Sequence, residues 1–420
     1  GALATRHSFV AARGPLRHDV HKIHIVMAPK VTTEQQLKKL AEAEKQLPSK
    51  RELEECIPKH CFERNPITSF SYVLRDGVVI GLLGYLAWQL PYENMSIPVM
   101  LLWAAYAFWQ GTALTGWWVI AHEAGHGAFS PSQTLNDVVG FVLHTMLLVP
   151  YFSWQYSHAK HHSKTNHLLD GETHVPSTKK GFKLYKKVHN VIGDDAFALL
   201  QVVLHLLLGW PMYLLINATG ARRLNPEFGR NVRIPKGEVL DHFRPSSKLF
   251  PSSWRFRVFL SSAGLLVWGA VLAVVGSKIG FWRLTLMYFF PYLWTNAWLV
   301  LYTWLQHTEE NIPHWGEGTW TWIKGAAMGT IDREYGIFDW FHHEIGSTHV
   351  CHHLFSKIPH YHAYEATKAL KKKLGPLYNH CDEFWVESMW RVAKTCHYVD
   401  AVDGKQFYRA ANDFKKAKAQ

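Results

Sequence analysis

Eight histidines fall into three tight clusters whose spacing suits metal binding: His122-Glu123-Ala124-Gly125-His126, His158-Ala159-Lys160-His161-His162 and His349-Val350-Cys351-His352-His353. Side chains three and four residues apart are neighbours on a helix, so each of the last two clusters is expected to present its three imidazoles on one face. Taken alone, the first cluster also matches the zinc-protease pattern, in which two histidines bind metal and the Glu between them is the general base. That reading uses two of the eight histidines and leaves six idle. Eight imidazoles are too many for one tetrahedral zinc, and they suit two metal ions that keep positions open for a small ligand. Imidazole accepts zinc, copper, iron and nickel alike. The oily surroundings point to redox chemistry on an apolar substrate, hence to iron or copper, because zinc has no redox activity.

The elements that must position these clusters are written in the hydropathy. Hydrophobic residues make up 48% of the 420, aromatics 14% and charged residues only 19%, a balance that fits a membrane protein better than a soluble one. A mean hydropathy of -0.11 excludes a chain that is mostly lipid-embedded, so polar segments must alternate with the spans. Stretches long enough to cross a bilayer run over residues 73–90, 97–121, 258–275 and 284–305. The connectors at 91–96 and 276–282 are short, so the spans form two helical hairpins and all long polar segments share one side. Two further apolar stretches, 138–152 and 197–216, are interrupted by Pro150 and Pro211 and by His144 and His205. These fit interfacial helices that cover the membrane face of the site.

Arg222, Arg223, Arg230, Lys248, Arg255 and Arg257 fall on the long side, against Lys278 and Arg283 near the other. By the positive-inside rule the long side, with both termini, is cytosolic. The net charge of +12 suits nucleic acid or an anionic membrane on sign alone. The apolar spans decide for the membrane, and no nucleic-acid motif is present. Five scattered cysteines without metal or redox spacing read as reduced thiols. The resulting fold class is an all-α membrane protein: four transmembrane helices in two hairpins, with a cytosolic helical cap carrying the histidine clusters. Residues 1–26 read as a leader or an imprecise start before Met27, residues 27–70 as a cytosolic helical approach with a charged helix over 33–47, and residues 71–420 as the membrane domain.

With these residues in view, the chain resembles the membrane fatty acid desaturase family, in its acyl-lipid delta-12 (omega-6) and omega-3 branch. The likeness rests on the HxxxH, HxxHH, HxxHH boxes with the second hairpin between the last two. It extends to HEAGHGAFS (122–130), LVPYFSWQYSHAKHHS (148–163), THVCHHLFSKIPHYHAYEATKA (348–369), IPKHCFER (57–64) and WLVLYTWLQHT (298–308). It covers nearly everything from about residue 55 to 410. Ala124 departs from it, since many delta-12 members carry Cys there, but no ligand position is affected.

The resemblance implies two iron ions held by His122, His126, His158, His161, His162, His349, His352 and His353. His307, at the end of the fourth span, stands where related desaturases complete the metal sphere, and is expected as a ninth ligand. His343 and Glu123 are expected to orient ligand imidazoles from behind, Glu123 as a hydrogen-bond acceptor. His360 and His362 read as surface or packing residues. The implied reaction introduces a cis double bond into a membrane-associated acyl chain, delta-12 desaturation of oleoyl to linoleoyl being favoured. O2 is the co-substrate, and electrons come from a separate cytochrome b5 and its reductase, because the chain lacks the HPGG segment of a fused cytochrome b5. A tail ending Lys416-Ala417-Lys418-Ala419-Gln420 resembles a dilysine signal of endoplasmic reticulum membrane proteins.

Rival readings stay open at this point. An omega-3 (delta-15) desaturase, a hydroxylase or a conjugase would use the same scaffold, an intramembrane zinc protease would use the first box alone, and a transporter would place ionisable residues inside the spans. Regiospecificity, the acyl carrier (phospholipid or coenzyme A) and the oligomeric state are not written in the sequence.

Overall fold

The computed structural model describes residues 41–220 and 238–418, with side chains to residue 414. The leader reading at 1–26, most of the helix expected over 33–47, Arg222, Arg223, Arg230 and the Lys416 and Lys418 side chains lie outside that description. Residues 41–45 are helical and the chain leaves the helix before Pro48.

The helices that position the site are α1 (Lys50–Cys56), α2 (Pro66–Trp88), α3 (Ile97–His126), α4 (Gln133–Met146), α5 (Tyr151–Ser163), α6 (Lys179–Ile192), α7 (Asp194–Ile216), α8 (Arg255–Ile279), α9 (Phe290–His307), α10 (His349–Leu354), α11 (His360–Leu374) and α12 (Trp385–Thr395). Their ends are set by familiar local chemistry. Asn65 accepts hydrogen bonds from the Ile67 and Thr68 amides and Pro66 follows at the first helical position, which starts α2. Gly127, at φ 75°, ends α3 immediately after His126 in the left-handed conformation glycine tolerates.

Five helical segments are long and apolar enough to cross a membrane: Pro66–Trp88, Ile97–His126, Asp194–Ile216, Ser252–Ile279 and Phe281–His307. Four of these helices coincide with the stretches expected to span. The fifth, α7, was expected to be interrupted at Pro211, but the proline is carried inside the helix five residues before its end. The 138–152 stretch is broken as expected: α4 and α5 meet at 108° across a break that holds Pro150.

Burial sorts the spans. Only 11% of the apolar window of α2 and 17% of that of Ser252–Ile279 is buried, against 39% for α3 and 56% for Phe281–His307, so α3 and α9 form the centre and the other two flank them. A Cβ on Gly111 would collide with Trp294 and stand 2.6 Å from the Pro291 carbonyl oxygen. The missing side chain lets α3 and α9 touch. Thr295 Oγ1 then donates to the Gly111 carbonyl at 3.2 Å, and Trp298 Nε1 to Thr112 Oγ1 at 3.0 Å. The cap adds two short β pairings among its described residues: His314–Trp315 antiparallel to Lys405–Gln406, and Asp332–Arg333 parallel to His380–Cys381.

Candidate metal centre

The boxes leave four helices at one level. His122 and His126 end α3, His158, His161 and His162 end α5, His307 ends α9, and His349, His352 and His353 make up half of α10. Their rings gather into two groups. In the first, ligand nitrogens of His122, His126, His158, His162 and His352 lie within 4.8 Å of one another, and in the second those of His161, His307 and His353 do. His349 joins the second group, its Nε2 standing 3.0 Å from His307 Nε2. All nine expected ligands are therefore brought together.

The split was not expected. Three imidazoles of one box do not face one ion: the i, i+4 pair of each HxxHH box (His158 and His162, His349 and His353) stays together, and the i+3 member (His161, His352) crosses to the other group. The reason is helical geometry. A residue at i+4 overshoots a full turn by about 40° and one at i+3 falls short by about 60°, so the two directions diverge by about 100°.

The donor set fits metal ions. Within the groups, Nε2 atoms face each other at 2.7 Å (His122 and His158), 3.2 Å (His126 and His122), 3.2 Å (His162 and His158) and 3.1 Å (His161 and His307). Two ring nitrogens so placed need a proton or a cation between them. With metal–nitrogen bonds of about 2.1 Å, adjacent ligands stand about 3.0 Å apart at right angles and about 3.4 Å apart in a tetrahedron. The buried Nε2 atoms of His352 and His353 have no hydrogen-bond partner. Burial, followed by the neighbouring histidines, holds the imidazoles of His349, His352 and His353 well below their usual pKa, which leaves them neutral as ligands must be.

Indole rings orient two of the boxes. Trp118 stacks on His122 (5.5 Å between centroids, 19° between planes) and Trp154 on His158 (4.5 Å, 18°). Each tryptophan lies one turn before the first histidine of its box, a signal in the sequence that had not been used. Buried His144 packs against both indoles.

Two buried polar anchors hold the other elements. Asp332 accepts from the Val350 amide at 2.8 Å and from the Tyr378 hydroxyl, which fixes the start of α10. Arg333 donates to the Leu305 carbonyl (3.1 Å), Ser388 Oγ (2.7 Å) and Glu309 Oε2 (2.5 Å), on either side of His307.

Glu123 was expected to accept from a ligand imidazole. Instead its Oε2 accepts from the backbone N–H of His360 and meets His360 Nδ1, each at 2.9 Å. The cause is steric: Glu123 sits next to His122 on the helix and so points to a different side, towards α11. His343 Nε2 is 2.8 Å from Asp76 Oδ2, and its ring packs on Tyr72 and His360. Both residues line a small cavity of ≈ 10 Å³ together with His352. His360, expected to be unremarkable, is buried and joins the two.

A larger cavity of ≈ 100 Å³ opens on His122, His158, His161, His307 and His349. Its walls are mostly apolar: Trp118, Val119, Trp154, Trp210, Leu299 and Val300. Thr173, His174, His205, Thr303 and Gln306 give it a polar margin.

Helices long and apolar enough to cross a membrane, a buried polyhistidine cluster consistent with a metal site and a mostly apolar cavity beside it fit the class of membrane metalloproteins. Comparison makes the class specific. Residues 99–385 match the family model described as fatty acid desaturase, and the chain belongs to that family. It is 41% identical over 354 residues to the omega-6 fatty acid desaturase, endoplasmic reticulum, of Brassica juncea (83% of this chain, 87% of that one). It is also 41% identical over 351 residues to the delta(12)-fatty-acid desaturase of Arabidopsis thaliana (83% and 87%). With the delta(12)-oleate desaturase of Trichosanthes kirilowii it shares 39% over 350 residues (83% and 90%).

Proposed function

We propose that the protein is a delta-12 desaturase that converts oleoyl to linoleoyl chains in the endoplasmic reticulum membrane, with two iron ions, one held by His122, His126, His158, His162 and His352 and the other by His161, His307, His349 and His353. The observation that carries this reading is the meeting of nine imidazole nitrogens, in two groups, at one end of an apolar cavity. The names of the relatives supply the position of the double bond. Iron bound in these groups would supply, with O2 and two electrons, the oxidising power needed to remove two hydrogens from unactivated methylenes, which no side-chain acid or base can do.

The remaining steps belong to the protein. Trp118, Val119, Leu299 and Val300 receive the acyl chain, an apolar lining that matches the bilayer the chain leaves, so entry exposes none of its methylenes to water. Rigid indoles against His122 and His158 fix which carbons lie beside the centre, and such positioning is worth orders of magnitude in rate. The apolar walls exclude water from the reacting carbons. Arg333 and Asp332 hold the ends of α9 and α10, so His307 and the third box keep their places while substrate enters.

The topology we infer has four spans with the histidine side and both termini cytosolic. Support comes from the ends of α7, which are tied to the same polar cap. Near its start Lys394 pairs with Asp195 at 2.6 Å. Beyond its end the Val175 amide donates to the Thr219 carbonyl at 3.1 Å, and His242 Nε2 meets Ser157 Oγ, next to His158, at 3.2 Å. A helix with both ends on the histidine side lies across the membrane face and covers the cavity. Electrons arrive from a separate cytochrome b5 at the basic cytosolic surface. Expression in a yeast that makes only monounsaturated fatty acids, with gas chromatography of the lipids, tests the proposal. Linoleate is the expected new product, and a hydroxylated, omega-3 or unchanged profile refutes it.

A further inference from the structure

The segment IPKHCFER, which the polyhistidine centre does not use, brings a second set of metal-type donors together. His60 and Cys61 sit in the short helical turn Lys59–Phe62, directly before the first span. Glu365 reaches them from α11. His60 Nε2 is 3.0 Å from Glu365 Oε2 and 3.8 Å from Cys61 Sγ, and all three donor atoms lie within 4.8 Å of one another. Around one tetrahedral zinc, with bonds of about 2.1 Å to nitrogen or oxygen and about 2.3 Å to sulfur, such donors stand about 3.3–3.6 Å apart. His362 precedes Glu365 by one turn on the same face of α11, and its ring meets His60 edge-on at 5.5 Å, close to where a fourth ligand belongs.

We propose that His60, Cys61 and Glu365, with His362 or water in the fourth position, form a zinc site separate from the polyhistidine centre that clamps the approach to the first span onto α11. A nitrogen, a sulfur and an oxygen donor together suit zinc. The site has an entry path, because His60 and Glu365 are half exposed (50% and 53%). It also has a rigid floor, because Cys61 is fully buried among Val350, Cys351 and Ile358. Burial pushes the Cys61 thiol up to about 11, so zinc binding breaks its S–H bond, forms the S–Zn bond and releases one proton to solvent. The consequence for the enzyme is mechanical. α11 follows the third box through Pro359, and the clamp would hold its first two turns.

The experiment uses the full chain purified in detergent, equilibrated with zinc chloride and freed of excess, with zinc and iron measured per chain by mass spectrometry. One zinc beyond the iron is expected. Cys61→Ser and His60→Gln should each weaken zinc binding by more than about 100-fold, since a lost direct ligand costs at least as much as a lost supporting partner, while iron stays at the wild-type level. Cobalt in place of zinc should give a sulfur-to-metal charge-transfer absorption that Cys61→Ser removes. The exposed His60→Gln variant keeps the test valid if Cys61→Ser misfolds. Wild-type protein that takes up no zinc, or zinc retained in His60→Gln at full affinity, overturns the proposal.

Discussion

Replacing Arg333 with Met tests whether the buried ion network beneath His307 positions it. Arg333 is wholly buried, and its guanidinium ties Leu305 to Glu309 across His307 while also reaching Ser388. Burial by itself would raise the Glu309 carboxyl, but hydrogen bonds from Arg391 and the charge of Arg333 hold it below the usual range. Removing one partner of a buried pair typically costs about 3–5 kcal/mol, because the other charge is left behind. Here Arg391 still donates to Glu309 at 2.9 Å, which places the electrostatic loss at the lower end. The freed Leu305 carbonyl adds about 1 kcal/mol, while the Ser388 hydroxyl keeps its bond to Glu383 Oε2 at 2.7 Å. A total of about 4 kcal/mol corresponds to a fall in Tm of roughly 4–5 °C in a chain of 420 residues. Fluorescence-detected size-exclusion melting, with iron content measured in parallel, reads both effects. Lys394→Met, which breaks the exposed pair with Asp195, is the control and should change neither. If Arg333→Met melts with the control and keeps full iron, the network does not position His307.

Asp332→Ala removes the acceptor at the start of α10 and should cost about 2–4 kcal/mol, measured as lowered Tm and reduced iron. Burial pushes the Asp332 carboxyl up to about 7, above about 3.9 in the unfolded chain. The folded state therefore holds the extra proton between those values, and the stability from this group is full below about 4 and falls as pH rises to about 7. Asp332→Asn should flatten that part of a Tm-against-pH curve. Leu299→Trp fills the ≈ 100 Å³ cavity and should lower linoleate formation by about 100-fold, because displacing the reacting carbons by an ångström is enough. Unchanged product in yeast lipids would show that the acyl chain lies elsewhere.

Much of this architecture was legible in the residues. The four long apolar stretches were legible as helices, because a backbone in apolar surroundings must satisfy its polar groups internally. The eight box histidines were readable from their spacing, whereas His307, a lone residue, was readable only from its place at a helix end and from the resemblance; the structure gathers all nine. That the i+3 member of each HxxHH box parts from the other two follows from the helical turn, but which group it then joins depends on how α5 and α10 are rotated against each other, which no local spacing records. Glu123 was misread for a related reason: adjacency to His122 in sequence places its carboxylate on another side of α3, where His360 waits from 237 residues away. Pro211 signalled a break, yet the helix runs through it: the lost amide and the clash cost about 3 kcal/mol, which the core packing of Trp210, Tyr213 and Leu214 on either side offsets. The anchors Asp332 and Arg333 gave no signal, because each acts through tertiary contacts alone.

The central claim is that two iron ions share nine histidines, His307 among them. Iron counting and Mössbauer spectroscopy on purified wild type, His307→Ala and His205→Ala test it most directly. Two irons are expected in wild type, two in His205→Ala, and loss of the iron held with His161, His349 and His353 in His307→Ala, with linoleate formation abolished. Full iron loading and normal turnover in His307→Ala would contradict it.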